Sequence, residues 1–153
     1  MYQAQFNVFL QIDNQVVQTA TGGETWNQKP STSGGKCSTT ITDKLTAFTN
    51  WRVSAQNKKN GLWHLLTNCY PAPGTVGIAW IAQLCKNNGV GISSYTRTHW
   101  LVIAHEIGHN IGGNHAFQLG QGKTGGIMDY GDSIYPIGSG IYQFHKVYNE
   151  AEM

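Results

Sequence analysis

Two histidines and a glutamate near the middle of the chain have the types and the spacing of a metal-dependent hydrolytic site. His105 and His109 are four residues apart. On a helix both imidazoles therefore lie on one face, one turn above the other, and can reach the same ion. Glu106 follows His105 directly, which places its carboxylate beside the ion without pointing straight at it. A carboxylate in that place is suited to accept a proton from water at the metal, as a general base does.

A third histidine follows a predicted turn. Gly112 can end the helix in a conformation that other residues adopt only with strain, and the turn would bring His115 back to the ion as a third ligand. Three nitrogen ligands leave the fourth position of a tetrahedral zinc open for water, which is typical of catalytic zinc. We therefore predict one catalytic Zn²⁺ held by His105, His109 and His115. The competing hypothesis, a helix with surface histidines beside a Gly-rich cap, requires this spacing to arise by chance.

Hydrophobic periodicity predicts the elements that position these residues. A helix over about residues 97–112 carries the first two histidines. An earlier helix, ending at Asn60–Gly61, is predicted from apolar residues at three- and four-residue steps: Ile41, Leu45, Phe48, Trp51 and Ala55. Strands are predicted where apolar residues alternate with polar ones or run together, at residues 6–12, 63–67, 76–85 and 90–95. The chain after Gly112 is Gly-rich and irregular through about residue 140.

Composition excludes several classes of protein. The 153 residues suffice for one domain with a sizeable core, and an apolar fraction of 40% argues against a disordered chain. A net charge of +2 without a basic stripe argues against a nucleic-acid partner. No apolar run approaches the roughly 18 residues that cross a bilayer, and the first residues lack the pattern of a signal peptide. We therefore expect one domain over residues 1–153 without a membrane span.

Two motifs resemble those of a known superfamily. Residues 105–115 (HEIGHNIGGNH) resemble the zinc signature of the metzincin metallopeptidases. Residues 126–130 (GIMDY) resemble their Met-turn, the tight turn that would place Met128 beneath the zinc. Within that superfamily, residues 63–67 (WHLLT) and 74–85 (GTVGIAWIAQLC) are similar to the adamalysin (reprolysin, ADAM-like) branch.

The resemblance implies a metzincin-like α/β fold and a zinc-dependent endopeptidase. The fold would contain a twisted mixed sheet, an active-site helix and a Gly-rich lower subdomain over about residues 113–153. A zinc-activated water, with Glu106 as the general base, would hydrolyse the peptide bonds of protein substrates. The backbone edge of residues 76–83 would pair with the substrate, and residues 129–136 would wall the pocket for the residue after the scissile bond. A secreted, monomeric enzyme acting on proteins or peptides is expected.

The resemblance covers about residues 38–135, and the chain departs from the family pattern within and beyond that range. Ala116 stands where the adamalysin branch usually has Asp after the third histidine. Tyr130, two residues after Met128, is closer to the astacin and serralysin Met-turn, in which such a tyrosine can bind zinc or stabilise the transition state. Packing of this aromatic ring beneath the site is the alternative. By the same resemblance, the chain looks like a catalytic domain that is incomplete at its N- and C-terminal ends.

Three cysteines and three further histidines remain. Cys69 and Cys85 flank a loop and a strand and form the favoured pair, while Cys37 could pair with either or stay a free thiol. Isolated histidines are usually hydrogen-bonded structural residues. We therefore expect no catalytic role for the remaining three: His64, His99 and His145.

Two other functions remain open. A zinc-stabilised binding or interaction module without proteolysis would result if an incomplete domain misplaces the substrate edge, although a structural zinc site has no use for Glu106. A cytosolic peptidase would keep all three cysteines reduced. A count of free thiols would distinguish that peptidase from a secreted one.

Overall fold

The structure is a computed structural model that describes residues 1–20, 22–27, 37, 39–54, 60–130 and 134–153. In chain order its elements are α1 (Tyr2–Phe6), α2 (Ile41–Ser54), β1 (Trp63–Thr67), β2 (Gly77–Ala79), β3 (Val90–Ser94) and α3 (His99–Ile111). A mixed sheet packs against both α2 and α3, which confirms the predicted α/β class. Within the described ranges, no helix is long and apolar enough to cross a membrane.

The sheet has the strand order β1–β3–β2. β1 runs parallel to β3, with Trp63 opposite Val90, and β2 runs antiparallel to β3, with Gly77 opposite Ser93. Successive side chains of a strand point to opposite faces, so Val90 and Ile92 face α2 while Ser93 faces the other side, where α3 packs. This order leaves β2 as an edge strand.

Two apolar clusters form the core. Between the sheet and α2 lie Trp26, Leu45, Phe48, Val90 and Ile92. The second cluster joins the buried face of α3 to the residues beneath it. Its members are Tyr2, Ala104, Ile107, Ala116, Ile127, Met128 and Phe144. Gly108 permits the second cluster, because a Cβ at that position would lie 2.6 Å from Sδ of Met128 and 2.9 Å from Cε1 of Phe144. A side chain at position 108 would therefore push α3 away from the residues below it.

The strand predicted over residues 6–12 is wrong. Phe6 is the last residue of α1, and residues 7–20 contain no helix or strand. Tyr2 and Phe6 pack against Phe144 instead, with ring centroids 5.1 and 5.3 Å from it, while Ile12 is 84% exposed. An alternating pattern is stable as a strand only beside other strands, and none of the described strands pairs with this segment.

The strand predicted over residues 76–85 is shorter than expected, since β2 ends at Ala79. Ala82 and Cys85 adopt left-handed backbone angles, with φ of 55° and 59°, which a strand cannot contain. The N–H of Ala82 donates to the carbonyl of His109 at 2.9 Å. The chain after β2 therefore satisfies the last carbonyls of α3 instead of extending the sheet.

The favoured cysteine pairing is also wrong. Cys37 is bonded to Cys69, and Cys85 is a free, exposed thiol. Cys69 follows the end of β1, whereas the N–H of Cys85 donates to the carbonyl of Gly61 just before β1 begins. A strand of this length spans about 16 Å, and a disulfide needs Cα atoms within about 7 Å.

The predicted strands at residues 63–67 and 90–95 and the helix at 97–112 lie close to their expected positions. The earlier helix is described only to Ser54, and its predicted residue Ala55 lies outside the described residues. Gly61 lacks the left-handed φ expected of its cap.

Candidate metal centre

α3 carries the first two predicted ligands and the glutamate, and a glycine turn follows it. The N–H of Gly112 donates to the carbonyl of Gly108 at 3.1 Å, and Gly112 has a φ of 136°. A Cβ at Gly112 would also lie 2.8 Å from the carbonyl oxygen of Glu152. Backbone conformation and space thus both require glycine here, and the turn returns the chain toward α3 at His115.

The structure brings the three predicted ligand histidines together. Nε2 of His115 lies 3.1 Å from Nε2 of His109 and 3.2 Å from Nε2 of His105. Two nitrogens that are each about 2.0 Å from one tetrahedral ion lie about 3.3 Å apart. The three residues offer ligand atoms that all lie within 4.8 Å of one another. The donor set therefore has the size and chemistry that a zinc ion requires.

Two backbone carbonyls orient these imidazoles. Nδ1 of His105 lies 2.6 Å from the carbonyl oxygen of Ile127, and Nδ1 of His109 lies 2.7 Å from that of Gly113. A neutral imidazole that donates from Nδ1 presents a lone pair at Nε2. Burial lowers the pKa of His105 to about 3 and also lowers the pKa values of His109 and His115. The neutral form, which binds metals, is thus favoured.

Glu106 is buried beside this cluster. Its side chain is 5% exposed, and its Oε2 has no hydrogen-bond partner in the described part of the chain. Burial raises the pKa of Glu106 to about 8, because desolvation disfavours the charged form. A buried carboxylate without a partner is costly for stability, and a perturbed group of this kind in a cleft is a candidate for proton transfer.

The three histidines and Glu106 open into one cleft of about 870 Å³. Apolar side chains of α3 and the loop before β2 form much of its wall, including Leu101, Val102 and Val76. Of the predicted pocket wall at residues 129–136, Asp129 and Tyr130 line the cleft, and residues 131–133 lie outside the described residues.

The free edge of β2 faces this cleft. The N–H of Ser94 donates to the carbonyl of Val76 at 2.7 Å, so position 76 uses its backbone to pair with β3. In an antiparallel ladder the alternate residues point their N–H and C=O groups the other way. Gly77 and Ala79, which both line the cleft, therefore point backbone groups toward it that no described strand pairs with.

The predicted Met-turn lies beneath the site. Met128 is fully buried, and its carbonyl accepts the N–H of Ala116 at 3.1 Å, so the turn holds the residue after His115. Ala116 itself is buried in the apolar cluster beneath α3. Tyr130 is 56% exposed, and its ring centroid lies 4.6 Å from that of His115.

Two further residues position the site, and the sequence analysis assigned this role to neither of them. Asn110, fully buried on α3, donates its side-chain amide to the carbonyls of Trp80 and Val90, each at 3.0 Å. Asp129, 2% exposed, accepts two backbone N–H groups of the Gly-rich loop. In both cases the signal in the sequence is a polar residue at a position that the helix or turn pattern predicts to be buried.

The three isolated histidines lie elsewhere, and none of them lines the cleft. Nε2 of His64 lies 2.8 Å from Oγ of Ser93 on the neighbouring strand. His99 stacks on Tyr95, with ring centroids 5.2 Å apart, and His145 packs 3.9 Å from the ring of Tyr135. Each thus has a structural contact of its own.

The mixed α/β sheet and helices carry a cluster of three histidines that could hold a metal ion, with a glutamate beside it. Comparison with known proteins identifies the family. The family model Reprolysin_5, described as metallo-peptidase family M12, matches residues 1–133. The chain belongs to this M12 metallopeptidase family. The resemblance drawn from residues 105–115 and 126–130 is thereby confirmed at the level of the reprolysin branch.

Similar proteins include disintegrin and metalloproteinase domain-containing protein B of Aspergillus fumigatus. It is 32% identical over 132 residues, which cover 75% of this chain and 16% of that protein. The protein of the same name from Trichophyton verrucosum is 30% identical over 137 residues, covering 75% and 17%. Zinc metalloproteinase-disintegrin-like brevilysin H2a of Gloydius brevicauda is 38% identical over 80 residues, covering 48% and 19%. The chain thus spans less than a fifth of the length of these relatives.

Proposed function

We propose that the chain is a zinc-dependent endopeptidase that hydrolyses peptide bonds of proteins or peptides. One observation carries the proposal: three converging imidazoles open into the same cleft as Glu106, whose Oε2 has no hydrogen-bond partner among the described residues. A structural zinc site closes its fourth position with a protein ligand and has no use for such a carboxylate. Membership of the M12 family supports the same general chemistry.

His105, His109 and His115 would hold the zinc through their Nε2 atoms. When bound, zinc polarises the scissile carbonyl and makes water a stronger acid. The carbonyls of Ile127 and Gly113 keep the first two imidazoles in the orientation and tautomer that binding needs. The chain therefore supplies both the ligands and the contacts that orient them.

Glu106 acts as the general base. Its carboxylate, which the positive charge of a zinc at the neighbouring histidines would keep ionised despite its burial, accepts a proton from the attacking water and returns that proton to the amine as the peptide bond breaks. The phenol of Tyr130, beside His115 at the cleft, donates a hydrogen bond to the negative charge that develops on the carbonyl oxygen. Burial raises the pKa of Tyr130, so the phenol keeps its proton at neutral pH.

The substrate binds along the edge of β2. The free N–H and C=O groups of Gly77 and Ala79 pair with an extended substrate backbone, as in strand addition generally. The apolar side chains of Leu101 and Val102 line the same cleft and receive a substrate side chain. In this arrangement residues 113–153 form a lower subdomain that closes the cleft beneath the substrate.

We also propose that the protein is secreted and acts as a monomer. The bond between Cys37 and Cys69 supports an oxidising compartment. Thiol titration of the denatured, unreduced protein should then find one free thiol per chain, that of Cys85. A count of three free thiols would contradict secretion.

The test of the activity is cleavage of an unfolded protein such as casein, with and without a zinc chelator. Glu106→Ala should bind zinc like the wild type and lose about 10³-fold in turnover. Glu150→Ala serves as the matched control and should cleave normally. Chelator-insensitive cleavage, or full turnover by Glu106→Ala, would contradict the mechanism, and bound zinc without cleavage would support the binding module instead.

A further inference from the structure

Gly77 on β2 lies directly against the side chain of Glu106. A Cβ at Gly77 would lie 2.8 Å from both Cγ and Cδ of Glu106, and closer still to Oε1. Real Cβ atoms essentially never approach another heavy atom to less than 3.0 Å. Glu106 can therefore keep its place only while residue 77 has no side chain.

The backbone at this position does not itself require glycine. Gly77 lies in a regular antiparallel pair opposite Ser93 and has no left-handed φ, in contrast to Gly112 on the turn after α3. An alanine could adopt the same strand conformation without strain. The reason for glycine at position 77 is thus the space that the glutamate occupies.

The surroundings of Glu106 restrict movement of its side chain. The residue sits on α3 and is 5% exposed, and a Cβ at Gly77 would overlap its Cγ and Cδ as well as the terminal Oε1. A methyl group at position 77 would have to rotate the carboxylate out of its pocket. The free N–H and C=O of residue 77 at the strand edge would remain, because they belong to the backbone.

We infer that Gly77 is a positioning residue for the Glu106 carboxylate. Because Gly77 has no side chain, the carboxylate can lie against the strand whose edge faces the cleft. The inference rests on the proposed role of Glu106 as general base. The position of the Glu106 carboxylate is then set by β2 as well as by α3.

A double-mutant cycle in thermal stability tests the contact independently of activity. Gly77→Ala should lower the Tm by about 5 °C, since a Cβ at position 77 would overlap the buried side chain of Glu106 and overpacking is destabilising. In the Glu106→Ala background, where Cγ, Cδ and Oε1 are gone, the same change should cost less than about 1 °C. Equal Tm losses in the two backgrounds would overturn the inference whether or not the chain is a peptidase.

Kinetics test the consequence for the reaction. Gly77→Ala should lower kcat by about 10²-fold, because a displacement of about 1 Å in a reacting group has that effect. KM, zinc content and the visible spectrum of the Co²⁺-substituted protein should stay the same, since the ligands and the strand edge are unchanged. Gly61→Ala is the matched control, because a Cβ there makes ordinary contacts at 3.6 and 3.8 Å. Wild-type kcat in Gly77→Ala would overturn the inference, whereas wild-type kcat in Glu106→Ala would overturn the proposed base.

Discussion

Glu152 holds Asn114, the residue before the third histidine, through two hydrogen bonds. Its Oε2 accepts the backbone N–H of Asn114 at 2.9 Å, and its Oε1 accepts the side-chain amide at 3.2 Å. The side-chain amide of Asn149 also donates to the carbonyl of Asn114, at 3.0 Å. The last residues of the chain therefore fix the loop that carries His115.

Glu152→Ala should weaken zinc binding by about tenfold, because groups that orient metal ligands typically contribute at least that much to affinity. The measurement is a competition titration of the metal-free protein against a chromogenic chelator. Glu150→Ala is the control, since its carboxylate accepts a hydrogen bond from the Gln5 amide, at 3.3 Å, and not from Asn114. Equal affinities for wild type and Glu152→Ala would contradict a positioning role.

Removal of metal should destabilise the fold. The three imidazoles converge, and burial lowers their pKa values and so favours the neutral form that binds metals. A metal ion that binds only the folded chain stabilises it by mass action. Zinc at about 1,000 times its dissociation constant should raise the Tm of the metal-free protein by about 10 °C. Glu106→Ala should keep this shift and His109→Ala should lose it. An unchanged Tm on adding zinc would contradict the site.

His64 should make the fold sensitive to acid. Burial lowers the pKa of His64 from its ordinary 6.5 to about 4. Between those values the unfolded chain takes up a proton that the folded chain excludes. The contribution of neutral His64 to the free energy of unfolding is therefore fully present above pH 6.5 and is lost as the pH falls toward 4.

His64→Gln removes this titration and can keep a hydrogen bond to Ser93. Urea unfolding at several pH values measures the free energy of unfolding. Between pH 6.5 and pH 4 this free energy should fall by about 2 kcal/mol more in the wild type than in the variant. The other buried histidines titrate in both proteins and cancel in the difference. Parallel pH profiles for the two proteins would contradict this expectation.

Asp129 should be needed for the Gly-rich loop after the third histidine. Its carboxylate oxygens accept the N–H groups of Gly122 and Gly125, at 2.5 and 2.8 Å. Asp129→Asn places an NH₂ group against one of these donors and should lower the free energy of unfolding by about 2 kcal/mol. Urea unfolding measures this loss, and Asp13→Asn, at an exposed position, should change it little. Equal stability of the two variants would show that the loop does not depend on Asp129.

The sequence by itself determined the elements whose signals are local. The spacing of His105 and His109 on one helix face, the turn at Gly112 and the strand over residues 63–67 all lie in the structure close to where periodicity and turn chemistry predict them. Such patterns depend on residues within one or two turns of one another, so neighbours along the chain suffice to specify them. The role of each residue at the zinc and in the reaction stays a prediction.

Only the tertiary structure decided which distant segments meet. The alternating residues 6–12 have the pattern of a strand, but none of the described strands lies beside them. Cys69 bonds Cys37 because Cys85 lies at the other end of β1. The contact of Gly77 with Glu106 joins two elements that no local pattern relates. Pairing, disulfide choice and close packing depend on positions in space across the sheet, and a single sequence encodes these only through the complete fold.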